Sequence, residues 1–501
     1  MSWNRALLNR RDLLGHVAAG AGALILPHVT VESLLAAVPK TNHIIEPRTT
    51  VGIARSQVSR VEDMNFADIR AVVTKAVKRA GGLRGIVKNK DTVILKPNLM
   101  CLYINSSGEK LYPKANGITT DYRVTRAVAQ LVRELNPRGK IYVAESSAFQ
   151  QTRPTMVALN YTKEHLPEVD GFICFEESGK YEQWDSPKLT TVTLPKGVGI
   201  YPDHMKPNKS PEFYMNKLYY NADVVISIPC LKNHHYAGIT GAIKNVAIGS
   251  SPPNIYGRKG TLTVTKATPK YMLDKWGPMI ILERSKKINH DRFYLSLWMH
   301  DYYLCRPPDF VVTDGLQGSQ NGPDIPHTCK QKTIEDNQMN MRLILAGKDP
   351  IAVDTVHALV IGFDPYKVNH LINLSAFGCA DATRLRINGD PVHTIRKNFE
   401  LLGGRGSESK LDRTGQPQIQ IASALIKDTK LHLCVKSEPN HIHMLEVLVD
   451  GIRRDEVILG SFENVVLDLG AKARGVREVT VCGYDRYLSS AEQTVKIARK
   501  A

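Results

Sequence analysis

None of the eight cysteines belongs to a Cys-x-x-Cys pair. Their spacing along the 501 residues is wide and irregular, which excludes a zinc knuckle and a ferredoxin-type cluster. We therefore expect no iron–sulfur cluster, while a divalent metal or an organic cofactor is left open. A chain of this length needs no disulfides for stability, so most of the thiols are expected to be buried and unpaired.

Long hydrophobic runs are also absent. The weakly apolar stretch from Leu13 to Leu26 is shorter than the roughly twenty residues that a spanning helix needs. It follows Arg10-Arg11 and precedes Ala36-Ala37, an order typical of an export signal with a twin-arginine pattern. We expect residues 1–37 to engage the twin-arginine translocon and the protein to work in the periplasm or cell envelope. The alternative is an amphipathic N-terminal helix of the domain itself.

Acidic residues are fewer than basic ones, with 49 Asp and Glu against 66 Lys and Arg, for a net charge of +17. The basic residues are scattered, and no zinc finger or aromatic–basic interleaving accompanies them, so nucleic acid is not an expected partner. A basic exported protein can be drawn to anionic lipid, cell-wall polymer or an acidic substrate, but the scattered charges favour a solvated basic surface.

Short apolar runs alternate with helical segments between residues 50 and 400. The strands are predicted at Val51–Gln57, Thr92–Lys96, Lys140–Ala144, Ala222–Ile228 and Asp309–Thr313, and the helices at Phe66–Arg79, Tyr122–Leu135 and Ile351–Gly362. This pattern predicts an α/β domain with a mostly parallel sheet and flanking helices.

Two regions do not follow this alternation of strands and helices. Residues 252–308 carry Pro252-Pro253 and an aromatic-rich stretch around Trp298, which predicts an insertion able to cover a site. After a polar linker at 403–418, residues 419–501 contain only short strands, which predicts a small β-sandwich-like domain. This domain is the expected contact for an envelope partner.

Polar residues follow four of the predicted strands. Ligands of open α/β sheets bind beyond the carboxyl ends of the strands, so these residues are expected to share a pocket. The predicted ligand-binding residues at the strand ends are Lys96, Asn98, Glu145, Lys232, His235 and Asp314.

The segment from Lys232 to Lys244 is the densest of these endings. Gly238 and Gly241 allow the backbone to approach a ligand closely, so both are predicted to bind it. His234 and Lys244 supply an imidazole and a cation. A helix that starts near Thr240 would favour a phosphate or carboxylate at its free amides.

Asp314, Asp349 and Asp354 are candidate oxygen ligands for a divalent cation. Two of these aspartates also have an alternative structural role that involves no metal. Asp349 precedes Pro350 and could cap a helix. Asp354 could pair with a core lysine such as Lys96.

These motifs resemble the family catalogued as domain of unknown function 362. The matching elements, in order, are Gly81-Gly82-Leu83, Ile94-Leu-Lys96-Pro97-Asn98, Thr119-Thr120-Asp121, Val143-Ala-Glu145, Ala222-Asp223, Lys232 with Gly238 to Gly249, Val312-Thr-Asp314-Gly315, and Ala346 to Asp354. The resemblance implies a fold and a site more than a reaction.

A second, local resemblance concerns the spacing His234-x-x-Ala-Gly238-x-x-Gly241-x-x-Lys244. It is similar to a segment of nickel-pincer lactate racemases. The resemblance implies that His234 acts as acid or base and that Lys244 anchors a cofactor. Glu145-Ser146 stands where that family has a second catalytic histidine.

These observations indicate an enzyme that acts on a small anionic or carboxylated substrate, with His234 and Lys244 as its catalytic residues. The alternative is an envelope protein that binds a ligand or cofactor without turnover.

Overall fold

The structure is a computed structural model that describes residues 42–47, 49–99, 115–147, 152–178, 186–200, 212–252, 292–322, 334–401, 409–411, 416–437 and 442–497. The expected export signal, residues 253–291 of the expected insertion and most of the expected linker lie outside these ranges. No helix within the ranges is long and apolar enough to cross a membrane.

Strands and helices are numbered here in chain order. The strands are β1 (His43–Ile45), β2 (Thr49–Arg55), β3 (Thr92–Pro97), β4 (Lys140–Glu145), β5 (Gly171–Cys174), β6 (Leu189–Thr193), β7 (Glu212–Asn216), β8 (Val224–Ile228), β9 (Cys230–His234), β10 (Gly238–Ile239), β11 (Phe310–Ser319), β12 (Leu343–Gly347), β13 (Leu385–Gly389), β14 (Ile419–Lys427), β15 (Lys430–Ser437), β16 (Met444–Val449), β17 (Ile452–Leu459), β18 (Val465–Asp468), β19 (Glu478–Tyr484) and β20 (Ser490–Lys496). The helices are α1 (Phe66–Arg79), α2 (Tyr122–Leu135), α3 (Thr152–Ala158), α4 (Lys217–Asn221), α5 (Gly241–Gly249), α6 (Arg292–Cys305), α7 (Pro350–Val360), α8 (Asn369–Asn373) and α9 (Val392–Ile395).

One large mixed sheet organises the α/β part. Its strands follow the order β13-β2-β12-β11-β8-β3-β4-β5, and β9 pairs with both β11 and β10. Strand β12 is antiparallel to its two neighbours, whereas the other pairs along this path are parallel. The expected α/β fold is confirmed, with one reversed strand. An apolar run such as Leu343–Gly347 has no feature that distinguishes a parallel from an antiparallel strand. The sequence pattern therefore does not indicate that β12 is antiparallel to its neighbours.

Helices cover both faces of this sheet because its central strands are buried on both sides. In β3, Val93 and Leu95 join a core cluster that includes residues of α1 and α2. Ile94, which points to the opposite face, joins a second cluster that includes residues of α5, α6 and α7. This two-sided burial explains why the strands have continuous apolar sequences.

The aromatic part of the expected insertion is a core element. Helix α6 packs against α5 and α8, and Trp298 and Tyr302 on it are fully buried. Their indole and phenol rings stack at 5.8 Å between centroids. We expected this stretch to cover a site from outside, but its apolar surface is used to complete the second core cluster.

The C-terminal region is all-β and antiparallel, as expected. Strands β17, β16, β19 and β20 form one sheet, and β14, β15 and β18 form another. Apolar side chains from both sheets, including Leu433 and Val481, share a single core cluster. Strands β14 and β20 were not indicated by the sequence pattern, and most of their side chains are partly or fully exposed.

Two short segments connect the all-β region to the rest of the chain in ways that local patterns did not indicate. Strand β1 adds to the edge of the C-terminal sheet by pairing with β17. Within the expected linker, Ser409 is buried and its carbonyl accepts the Asp364 amide at 2.6 Å. Tyr487 of the all-β region also donates its hydroxyl to Asp364 at 3.2 Å. The two parts of the chain are therefore in direct contact.

Candidate functional site

The four strand ends selected from the sequence lie side by side. Strands β11, β8, β3 and β4 are consecutive neighbours in the sheet. The register places Lys96 of β3 opposite Ser227 of β8. It also places Asp314 of β11 opposite Cys230, where β9 continues the direction of β8. The parallel pairing thus brings these residues to one edge of the sheet.

Lys96 and Glu145 form a fully buried ion pair at the centre of this edge. The Lys96 Nζ lies 2.8 Å from Glu145 Oε1, and both side chains have no exposed surface. The same ammonium donates to the Pro97 carbonyl at 2.8 Å and to Asn245 Oδ1 at 3.2 Å. Its three protons therefore have acceptors within the protein.

The Glu145 carboxylate links neighbouring strand ends. Its Oε1 also accepts the Ser146 amide, and its Oε2 accepts the Leu99 amide, both at 2.6 Å. Asn245 of α5 donates from Nδ2 to the Lys96 carbonyl at 2.9 Å. This network holds the ends of β3 and β4 against α5, so Lys96 and Glu145 have a positioning role in the geometry of the site.

Lys232 and His234 lie on a strand of their own, whereas we expected them to follow the end of the preceding strand. Strand β9 contains both residues and is buried along its length. It turns back into β10, with His234 opposite Gly238. The sequence of β9 is polar and does not indicate a strand. Its strand conformation depends on pairing with β11, more than eighty residues away in the chain. We call residues 230–239 the β9–β10 hairpin.

The His234 ring has a defined hydrogen-bonding state. Its Nδ1 accepts the backbone amides of Tyr236 at 3.1 Å and of Ala237 at 3.2 Å. A nitrogen that accepts carries no proton, so the neutral ring carries its hydrogen on Nε2. Burial lowers the pKa of His234 well below 6.5, and Lys244 and His235 lower it further. The ring is thus a neutral donor at neutral pH.

Lys232 and Cys230 occupy the inner part of the hairpin. The Lys232 ammonium is buried and donates to the Ile118 carbonyl at 2.8 Å. The Cys230 thiol lies 3.6 Å from the Thr120 hydroxyl. Burial raises the pKa of Cys230 to about 12, so this cysteine stays a thiol at neutral pH. Thr120 also accepts the Asn98 amide at 2.8 Å, which joins this cluster to the end of β3.

Asp314 is buried beside a second carboxylate. Its Oδ2 accepts the Asp121 amide at 2.8 Å and its Oδ1 accepts the Leu316 amide at 3.0 Å. Burial, together with the nearby Asp121, raises the pKa of Asp314 to about 7. Asp121 itself caps α2 and pairs with Arg123 at 2.7 Å. Asp314 is therefore poised to change its charge near neutral pH.

The N-terminus of α5 is occupied by a side chain of this protein. Helix α5 begins at Gly241, as expected from the sequence. The Asp354 carboxylate accepts the amides of Ala242 at 2.6 Å and Ile243 at 2.9 Å. We expected an anionic ligand at these amides or a pairing of Asp354 with Lys96, but Asp354 fills the helix end. Burial raises the pKa of Asp354 to about 7.

The two ligand-contacting glycines proposed from the sequence both have positive φ. Gly238 has φ +77° and Gly241 has φ +59°. A Cβ at Gly241 would lie 2.3 Å from Asp354 Oδ2, and one at Gly238 would lie 3.2 Å from Ser409 Oγ. Both glycines are therefore in close contact with side chains of this protein, Gly241 with Asp354 and Gly238 with Ser409.

The three aspartates proposed as metal ligands have separate partners. Asp349 caps α7 through the Ile351 amide at 2.9 Å and also accepts the Cys379 amide at 2.7 Å. Asp314 and Asp354 accept amides of other elements, as described above. Across the described residues, no group of three His, Cys, Asp or Glu side chains is placed to hold a metal ion. The structure therefore does not assemble Asp314, Asp349 and Asp354 into one ligand set.

Lys244 and His235 flank the buried groups. Lys244 lies on α5 and is partly buried. His235 is partly buried just after β9, and its amide donates to the Gly322 carbonyl at 3.2 Å. The centroids of the His234 and His235 rings are 6.5 Å apart. These residues place cationic and imidazole groups around the β9–β10 hairpin.

Several residues of this region were missed by sequence reasoning. Asn245, Cys230 and Thr120 contact the predicted residues, yet each carries an ordinary polar or small side chain. His357 had a recognisable signal: it lies three residues after Asp354 in α7, whose other residues are almost all apolar. Burial lowers the pKa of His357 to about 3. Two ionisable residues one turn apart on a buried helix indicate a common polar contact.

Comparisons with other proteins found a relative and several remote structural matches, among them the following. The thylakoid-associated protein sll1697 of Synechocystis sp. is 25% identical over 307 residues, which is 61% of this chain and 74% of the relative. The spore cortex lytic enzyme SleM of Clostridium perfringens aligns over 91% of this chain and 99% of its own, at 8% identity and a TM-score of 0.18. An endo-beta-1,4-mannanase double mutant of Cellulomonas fimi covers 89% of this chain and 100% of its own, at 11% identity and a TM-score of 0.13. At these TM-scores neither solved structure informs the fold.

A family model described as a domain of unknown function matches residues 93–358, more than half of the chain. The matched range includes the ends of β3, β4 and β8, the β9–β10 hairpin, Asp314 and most of α7. The chain therefore belongs to the DUF362 family.

Proposed function

We propose that this protein binds a small anionic or carboxylated substrate at the sheet edge and acts on it as an enzyme. One observation carries the proposal: the buried His234 ring is fixed as a neutral Nε2–H donor beside Lys232, His235 and Lys244. A fixed donor among cationic side chains favours a negatively charged oxygen.

We assign His234 a narrower role than the acid–base role implied by the racemase resemblance, and two observations support this. Its Nδ1 lone pair already accepts two amides, and its Nε2 carries the hydrogen. Such a ring polarises a substrate oxygen by donating to it, and it does not accept a proton at Nε2. Lys244 then supplies the charge that anchors the ligand. The same features favour binding without turnover as the second candidate.

Calorimetric titration with oxalate and inorganic phosphate at pH 7 tests the proposal. Lys244→Met should weaken binding of the better probe about tenfold, since it removes one charged hydrogen-bond donor. The same substitution at the exposed Lys217 is the matched control and should leave the affinity within about twofold. If neither probe binds, or if K244M binds like the wild type, the proposal fails.

Turnover distinguishes the two candidates. The full chain purified from its own host is examined by elemental analysis and native mass spectrometry for a bound metal or organic group. A bound organic molecule that is chemically converted during incubation supports the enzyme. Binding of an unchanged ligand supports the non-catalytic alternative.

We also propose that residues 1–37 export the folded protein to the periplasm or cell envelope through the twin-arginine translocon. The Arg10-Arg11 pair and the short apolar run support this. Replacing both arginines with lysine should retain the protein in the cytoplasm, whereas Arg5→Lys should not. We further propose that the all-β region contacts an envelope partner, because its sheets are distinct from the large sheet that carries the site.

A further inference from the structure

Residue His357 on α7 is buried without a hydrogen-bonding partner. Its side chain has no exposed surface, and neither Nδ1 nor Nε2 has an acceptor or donor in hydrogen-bond geometry. An imidazole always presents one donor and one acceptor, so both capacities are unused. Buried polar groups in this state are uncommon, because a hydrogen bond lost from water is then not replaced within the protein. A buried histidine in this state on a core helix indicates a role other than packing.

The His357 ring lies beside the main-chain carbonyl of Lys232 in the β9–β10 hairpin. The same carbonyl accepts the Thr240 amide at 3.1 Å, and the Thr240 hydroxyl is also buried without a partner. The Lys232 carbonyl therefore lies between the Thr240 amide, which donates to it, and the His357 ring, whose nitrogens lie outside good hydrogen-bond geometry.

Helix α7 contacts the same region one turn earlier. Asp354 caps α5, which carries Lys244. His357 follows Asp354 by three residues and therefore lies on the same face of α7. One face of α7 thus borders both segments that carry the cationic groups of the site: α5 through Asp354, and the hairpin through His357.

We propose that His357 is a positioning residue that sets the hairpin main chain at Lys232, and through it the placement of Lys232 and His234 for an anionic ligand. This inference rests on the proposed function. The ring already interacts with the Lys232 carbonyl, although its nitrogens lie outside good hydrogen-bond geometry. On ligand binding the hairpin closes onto α7, and the ring N–H donates to that carbonyl.

The test compares three variants of the full chain. His357→Phe removes both nitrogens, His357→Gln keeps an N–H donor, and Thr355→Val is the control. Thr355 is equally buried on α7, but its hydroxyl donates within the helix to the Ile351 carbonyl at 2.8 Å. Affinity for oxalate and phosphate, the urea unfolding midpoint, and amide hydrogen exchange of peptides spanning 230–240 are measured.

The expected result separates positioning from packing. H357F should bind the better probe at least fivefold more weakly than the wild type, with an unfolding midpoint that is unchanged or higher. In H357F the Thr240 amide should no longer gain protection from exchange when the probe is added. H357Q should recover most of the affinity and the protection, and T355V should match the wild type.

Two results overturn the inference: wild-type affinity and exchange in H357F, or a loss of global stability in H357F, which would assign His357 to packing. The affinity of K244M separates this inference from the proposed function. If K244M keeps full affinity while H357F loses it, the charge-based function fails and the positioning role stands. If K244M loses affinity and H357F does not, only the positioning role fails.

Discussion

At the residue scale, the Lys96–Glu145 pair shows how a buried charge can serve geometry. Removing two charges from water is costly, and their attraction compensates only when their remaining hydrogen bonds are satisfied. Here the ammonium has three acceptors and the carboxylate accepts two amides as well. The pair therefore fixes the ends of β3 and β4 in one arrangement relative to α5.

Breaking this pair from one side should be strongly destabilising. Lys96→Met leaves the Glu145 charge buried without its cation, and we expect a loss of about 3–5 kcal/mol in the free energy of unfolding. The double variant with Glu145→Gln should lose less than the sum of the two single losses, because no uncompensated charge remains. Urea unfolding measures these values. For the exposed Arg153–Glu177 pair, Arg153→Ala should cost under about 1 kcal/mol. A K96M loss as small as that of R153A would contradict the assignment.

Asp314 should make stability depend on pH. Its folded pKa of about 7 lies above the ordinary 3.8, so the folded state holds a proton that the unfolded state releases. The stability from this group is present at low pH and is lost as pH rises toward 7. Asp314→Asn cannot ionise. The free energy of unfolding of the variant minus that of the wild type should therefore rise by about 2 kcal/mol between pH 5 and pH 8.

Unfolding free energies of wild type and D314N at several pH values check this expectation. Asp63→Asn serves as control, because Asp63 is an exposed carboxyl outside this buried cluster and its replacement removes the same charge. A D314N difference that does not change with pH would show that the Asp314 carboxyl titrates alike in both states.

At the element scale, α5 depends on a cap from another helix. Asp354 of α7 accepts two of its first amides, and it fits only because residue 241 lacks a side chain. Asp354, at a helix N-terminus, is favourably placed for its charged form, although burial raises its pKa. The glycine and the aspartate therefore form one unit that fixes the angle at which α5 leaves the hairpin.

Gly241→Ala should disrupt this unit. The new Cβ would overlap Asp354 Oδ2, and φ of +59° is strained for alanine, so we expect a loss of about 2 kcal/mol or more. Gly475→Ala is the matched control, since nothing lies within 4 Å of its Cβ position. Thermal unfolding of both variants measures the difference. Equal melting temperatures for G241A and the wild type would mean that the cap does not constrain this position.

Two helices with strong local signals were predicted from the sequence to the residue. Helices α1 and α2 match their predicted bounds because Asn65 and Asp121 cap them and their apolar residues recur at helical spacing. Strand β9 was not predicted, since its polar side chains become buried only through long-range pairing. The strand ends that meet were selected correctly by position. Their partners, such as Asn245 for Lys96 and Asp354 for α5, depend on distances that no local pattern encodes.

At the scale of the whole molecule, β1 belongs to a sheet of the C-terminal all-β region, although it precedes the whole α/β part in the chain. Strand β1 pairs in register with β17, with Ile44 opposite Ile458, before β2 enters the large sheet. Asn42 adds a hydrogen bond to the Asn464 carbonyl at 2.7 Å. Contacts such as Tyr487 with Asp364 join the all-β region to the loop after α7. The all-β region is therefore held to the α/β part both by its own loops and by the segment that precedes β2.

Removing β1 should weaken the all-β region and expose a strand edge. We compare a chain that starts at Asn42 with one that starts at Pro47, each preceded by an initiator methionine. The shorter chain loses the pairing of three residues with β17, and we expect its free energy of unfolding to fall by about 1–2 kcal/mol. Its uncovered backbone groups on β17 should also promote self-association, because an open edge accepts another strand. Urea unfolding and light scattering test both effects. If the two chains have the same unfolding midpoint and the same molar mass, β1 contributes neither stability nor protection of this edge.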